Sequence, residues 1–193
     1  MCFRWKAKKS EKKARAKRNQ YSASAMSRRI KPLREYAEEQ TSLGKTETTI
    51  KLVYPLLAVF GWDSENVESQ YRVGDTRQRA DIALIKDGRA VAIIDVVKFE
   101  EDLNNKAAIE TLSSDAVACG VHLAVLTNGS TYWFYSVDTD AKEMSKEPFL
   151  KFDIYRTMLG GKNSSLAINF NYQQFNAFEL YKAYEGNGGN ANE

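Results

Sequence analysis

Thiols and imidazoles are what this sequence has least of. Its 193 residues hold two cysteines, Cys2 and Cys119, and a single histidine, His122. Two thiols, one of them in a terminal segment, support neither a disulfide framework nor a structural zinc site. His122 stands in an apolar stretch and has no His or Cys neighbour with which to bind a metal, so a structural part is expected of it. Long hydrophobic runs are missing too. No apolar stretch reaches the roughly 18 residues that a membrane helix requires, and the N-terminus lacks the apolar segment of a secretory signal. The expectation is a cytoplasmic protein with no membrane partner, in a prokaryote or as a viral protein in its host cell. Its length suits one domain with tails and a real core.

The formal charge of +3 conceals a division. Met1 to Lys31 carries twelve Lys and Arg against one acid, Glu11, a net of +11, so by subtraction from +3 the remaining 162 residues carry −8. Residues 1–24, with Lys8, Lys9, Lys12, Lys13, Arg15, Lys17 and Arg18, are too charged to build a core and are expected to be a disordered arm. Together with Arg28 and Arg29, such an arm can neutralise phosphates and strengthen nucleic-acid binding in a salt-dependent, sequence-independent way. The same charge also suits a solubilising or targeting extension, or an acidic protein partner; nucleic acid is preferred here.

Past the arm, hydrophobic periodicity sets out the elements. Met26, Ile30, Leu33 and Ala37 recur at helical spacing, with Gly44 expected to end that helix. A second helix is predicted from Thr46 to Phe60, stopping at Gly61 and kinked or broken at Pro55. Val67 to Val73 alternates as a strand, and Gly74 to Arg79 reads as a polar turn. Ile109, Leu112, Ala116 and Cys119 share one face of a third helix ended by Gly120. Val121–Leu126 and Thr131–Val137 are strands about a Thr-Asn-Gly-Ser turn, so the intervening helix predicts a crossover to a parallel neighbour. Beyond Val137 the expectations are a last strand over Phe149–Phe152, a loop from Gly160 to Ser165, and a closing helix carrying Phe175, Phe178 and Tyr181. Tyr132, Trp133, Phe134 and Tyr135 are expected to pack the core and edge rather than to stack bases.

The chemistry concentrates between Ala80 and Lys98. Two apolar strands flank Lys86-Asp87-Gly88-Arg89, and Asp-Gly between hydrophobic runs is a strong hairpin signal. Side chains alternate with a period of two, so Asp81 shares a face with Ala83 and Ile85, and Asp95 with Val91, Ile93 and Val97. Two carboxylates can therefore meet on one face. The plainer account is that Asp81 starts one strand and Asp95 ends the next, but an acid closing an Ile-Ile run has to be paired, hydrated or metal-bound. Paired carboxylates suit a hard cation such as magnesium. Glu47 falls in the first turn of its helix, where the dipole favours it; it could equally be a third acid aimed at the strand pair.

The order of these elements, from about Lys45 to Val137, resembles the N-terminal nuclease domain of type I restriction enzyme R subunits, within the PD-(D/E)xK nuclease group. The resemblance rests on Glu47, on Pro55-Leu56-Leu57 followed by Phe60-Gly61-Trp62-Asp63, and on Arg79-Ala80-Asp81-Ile82. It is strengthened by Ala92-Ile93-Ile94-Asp95, by Leu126-Thr127-Asn128-Gly129 and by Trp133-Phe134-Tyr135. It implies an α/β restriction-endonuclease-like core, a central mixed sheet flanked by helices. The domain itself is expected over residues 25–160, followed by a C-terminal helix and flexible tail over 161–193. The resemblance also implies that Asp81 and Asp95, with Glu47 in support, hold Mg2+ or Mn2+ for phosphodiester hydrolysis in DNA. Two departures weaken that implication. The second acid is Asp95 rather than the usual Glu, and the position of the activating lysine is Val97. Lys98 follows on the opposite face and could enter the site only through a bulge or the end of the strand. The family's glutamine and tyrosine on the crossover helix are here Thr111 and Asp115. The expected function is thus a stand-alone R-subunit-like nuclease with Asp81, Asp95 and Lys98 as catalytic residues. The alternative is an inactive nuclease-fold module that binds DNA or a protein, such as a regulator or decoy of restriction machinery, with a homodimer or other protein partner open. With no Gly-x-x-x-x-Gly-Lys-Ser/Thr motif, this chain cannot itself be the motor-bearing subunit.

Overall fold

The computed structural model describes residues 22–74, 76–156 and 164–185. The basic positions from Lys8 to Arg18 lie outside them. Helix α1 (Ala23–Glu38) opens at Ser22, whose hydroxyl accepts from Ala25 N at 3.3 Å and so satisfies one of the first-turn donors. Met26, Ile30 and Ala37 are buried along one stripe, as the spacing predicts. Gly44 does not end this helix. It takes an extended conformation, and its carbonyl accepts from Thr48 N at 2.9 Å, which makes it the N-cap of the next.

Helix α2 is built of an α turn Lys45–Thr48, a π segment Thr49–Val53 and an α segment Tyr54–Val59. Pro55 has no N–H to give, and the helix answers by widening just before it rather than breaking. The strands are β1 (Val67–Arg72), β2 (Arg79–Lys86), β3 (Arg89–Val96), β4 (Leu123–Thr127), β5 (Thr131–Asp138), β6 (Glu143–Met144) and β7 (Leu150–Asp153). They form one mixed sheet in the order β1-β2-β3-β4-β5-β6, with β7 also paired to β5. The hairpin between β2 and β3 turns at Asp87 and Gly88, both at positive φ, where the Asp-Gly signal placed it. Pairing is antiparallel except between β3 and β4, which helix α3 (Lys106–Cys119) joins as the expected parallel crossover. Gly120 ends α3 at φ 64°, a conformation that glycine adopts without strain.

Core residues gather on both faces of the sheet. The larger cluster joins α1 and α2 to Ile82, Leu84, Ile94, Phe134 and Phe152. The smaller lies under α3 and takes in Ala83, Ile93, Leu112, Ala116 and Leu126. The C-terminal part completes the larger one: Trp62 Nε1 donates to Phe170 O at 2.8 Å, and the Trp62 ring meets those of Tyr172 and Phe175 edge-on. Where a loop was expected through Ser165, a short helix α4 (Ser164–Asn169) begins, and the closing helix α5 (Ala177–Tyr184) buries Leu180 and Tyr184 while leaving Phe178 67% exposed. Asn176 sets that rotation by capping α5 through Glu179 N. Tyr132, Phe134 and Tyr135 are buried, so the packing role expected of these aromatics holds. No helix among the described residues is long and apolar enough to cross a membrane.

Candidate active site

The backbone ladder between β2 and β3 runs to Ile82 opposite Ile94. One residue further, where Asp81 and Asp95 face each other, side chains replace it. Asp81 N donates to Asp95 Oδ1 at 3.3 Å, and Val96 N donates to Asp81 Oδ2 at 2.8 Å. Each carboxylate thus holds a backbone N–H of the opposite strand, which fixes both head groups at the end of the pair. Their neighbours on the same face, Ala83 and Ile93, belong to the smaller core. The two acids do meet on one face, but unbroken alternation does not bring them there: the register shifts at Leu84/Ile85, and Val91, expected beside Ile93 and Asp95, packs with the larger cluster instead.

Negative charge outweighs positive around them. Burial first, and then the negative charge of Asp81, push the Asp95 carboxyl up to about 7. A third acid adds to this. Asp115, from α3, is 1% exposed, and its carboxylate has the Gln78 side chain beside it but no hydrogen bond of good geometry. Burial and then Asp81 raise its pKa as well, against a lowering influence from Gln78. A buried carboxylate so weakly paired is costly, and a site that concentrates negative charge in this way is suited to a cation. The sequence carried a signal for Asp115: it interrupts the apolar face of Leu112, Ala116 and Cys119 on a predicted helix.

The cation found there is one that no local pattern announced. Lys45 Nζ lies 2.7 Å from Asp81 Oδ2. It starts α2, whose approach is fixed by Phe99 N donating to Leu43 O at 3.3 Å just past the end of β3. Glu47, two residues on, is directed elsewhere: it pairs with Lys51 Nζ at 3.0 Å and accepts from Gly44 N at 3.4 Å, and both interactions lower its pKa. The helix-start account of Glu47 therefore describes its contacts. Lys98 is exposed, and β3 and β4 keep one register from Ile93 to Val96, continued by Val97 N donating to Thr127 O at 2.8 Å. β3 itself ends at Val96, and Lys98, in the bend beyond it, makes no ion pair with either acid. Val97 is half-buried against the smaller core. Thr111 is exposed, its hydroxyl bonded to Ala107 O.

Of the basic residues singled out on α1, Arg28 is exposed, and Arg29 donates to Ala58 O and Val59 O at 3.0 and 3.2 Å, capping the last carbonyls of α2. His122 is exposed at the start of β4, its Nδ1 3.4 Å from Val137 O. A groove of about 1230 Å3, lined among others by Tyr71, Cys119, His122 and Phe178, includes neither Asp81 nor Asp95.

Among the described residues no group of three or more His, Cys, Asp or Glu side chains could hold a metal ion. Two carboxylates are nevertheless what magnesium commonly takes from a protein, with waters and substrate phosphate completing its octahedron. Both contacts made by the Asp81 carboxylate fall on Oδ2, which leaves Oδ1 for an ion. The donor set and its excess of negative charge fit such a cation.

A family model described as type I restriction enzyme R protein N terminus matches residues 51–148, just over half of the 193. The matched stretch contains Asp81, Asp95, Val97 and Asp115, and begins after Lys45 and Glu47. No curated protein and no solved structure matches.

Proposed function

From the premise that this chain belongs to the family of the type I restriction enzyme R protein N terminus, we propose that it acts on DNA by metal-dependent hydrolysis of phosphodiester bonds, with Asp81 and Asp95 at the centre. The supporting observation is the meeting of these two carboxylates at the end of the β2–β3 ladder, each held by an N–H of the opposite strand. Asp81 and Asp95 would hold Mg2+ or Mn2+, which when bound polarises the scissile phosphate and lowers the pKa of its water. The Val96 N–H fixes Asp81, and the Asp81 N–H fixes Asp95, so neither head group has to be ordered when substrate arrives. Asp115 adds negative charge from behind and raises the affinity of the pair for a cation.

Nicking of supercoiled plasmid in magnesium or manganese tests this reading. Wild type is expected to nick, and Asp81→Asn to lower the rate by roughly 100-fold or more, the usual scale for losing one preorganised charge-stabilising group. Equal rates for the two would refute the role of Asp81. A wild type silent under every metal condition would leave the alternative of a DNA- or protein-binding module without hydrolysis.

A further inference from the structure

We propose that Lys45, the first residue of α2, is the catalytic cation of this site. The inference rests on the hydrolytic reading of Asp81 and Asp95. The strand position from which an ammonium would reach the acids is Val97, an aliphatic side chain half-buried against the smaller core. Lys98 lies in the bend past the end of β3, exposed and in no ion pair with either acid, and Lys51 is engaged by Glu47 at 3.0 Å. Lys45 alone among these three lysines has its ammonium on an acid of the pair, 2.7 Å from Asp81 Oδ2.

Its setting distinguishes it from an ordinary surface ion pair. The Asp81 side chain is 13% exposed, so the carboxylate belongs to the site floor, whereas the Lys45 side chain is 53% exposed and spans from solvent to that floor. The Phe99-to-Leu43 hydrogen bond holds the start of α2 against the end of β3. The charge that the strand lacks is thus delivered from a different element to the same place. With phosphate in the site, the ammonium would stand beside both the acid and the non-bridging oxygens, where negative charge grows in the transition state. Lys45 transfers no proton in this step. The water oxygen forms a bond to phosphorus and its proton leaves to solvent. The bond from phosphorus to the leaving ester oxygen breaks, and that oxygen keeps the electron pair and takes a proton from solvent.

The test compares wild type, Lys45→Ala, Val97→Lys and the double variant Lys45→Ala/Val97→Lys by plasmid nicking, and measures Mn2+ binding to each by calorimetry. Lys45 is half-exposed, so its truncation is expected to leave the fold intact, which a thermal melt of the variant checks. Expected are a rate loss of roughly 100-fold or more in Lys45→Ala, Mn2+ affinity equal to or a few-fold tighter than wild type because a competing cation is gone, and recovery of nicking in the double variant. Wild-type rates from Lys45→Ala would overturn the proposal and leave the hydrolytic reading standing. So would loss of Mn2+ binding in Lys45→Ala, because the lysine would then only shape the ion site. If wild type is silent and Val97→Lys nicks, Lys45 does not serve and the acids still do. Silence from both removes the proposal together with the reading beneath it.

Discussion

Asp95 has its ionisation opposed by its position. Its carboxyl is raised from 3.8 to about 7, burial being the larger cause and Asp81 the next. Between about pH 4 and 7 the folded protein therefore holds a proton that the unfolded chain has already lost, so this group's contribution to stability falls as pH rises through that window. Asp95→Asn keeps the acceptor for Asp81 N and removes the charge. Thermal melts without metal should show the variant more stable than wild type at pH 8, with the gap narrowing as pH falls toward 4. A gap independent of pH would contradict this. At this scale the sequence was only partly legible. The turn alone would set Asp81 against Ile94, and the register shift at Leu84/Ile85 that sets it opposite Asp95 has no signal in the sequence. Each acid could still be placed on a face of its strand, because alternation is local. Lys45 could not be placed: its proximity to Asp81 depends on how the start of α2 docks beyond β3, and no periodicity carries that.

Among the elements, the turn between β4 and β5 sets how closely α2 approaches the sheet. Asn128 Oδ1 accepts from Ser130 N, Ser130 Oγ and Thr131 N, while its amide donates to Glu101 O. Gly129 sits at φ 89°, and a Cβ built there would lie 2.6 Å from Thr48 Cγ2 and 3.0 Å from Leu52 Cδ1. Gly129→Ala must both adopt a disfavoured conformation and push α2 away. The expected cost is about 2–4 kcal/mol, read as a fall in Tm of roughly 5–15 °C. An unchanged Tm would show that α2 yields freely. Element type was readable along most of the chain because apolar spacing is a local property. The misread boundaries share one cause, in that Gly44 and Ser164 each allow a helix to begin as well as a loop to continue, and docking on the larger core decided both.

For the whole molecule, charge and fold are separate matters. The remainder beyond Lys31 has a net charge of −8, while the first 24 residues hold nine Lys and Arg against Glu11. DNA affinity that is independent of sequence should therefore reside in the arm. Deleting residues 1–24 is expected to weaken binding and to flatten the slope of log K against log salt, since every phosphate left without a neutralising Lys or Arg takes about 0.9 off that slope on duplex DNA. An unchanged slope would assign the arm another role. The sheet, its single parallel pair and the two-sided core were legible as a class from the alternation of strand and helix signals. The inclusion of the C-terminal aromatics in the larger core was not, because it is set by Trp62, more than a hundred residues before its partner Phe170.

The claim on which the rest depends is that Asp81 and Asp95 together hold a divalent cation. Calorimetric titration of Mn2+ into wild type, Asp81→Asn and Asp95→Asn at pH 8 tests it most directly. One ion bound by wild type, with affinity abolished or reduced at least tenfold in each variant, is the predicted result. Absence of binding to wild type, or the same affinity in all three proteins, would contradict it.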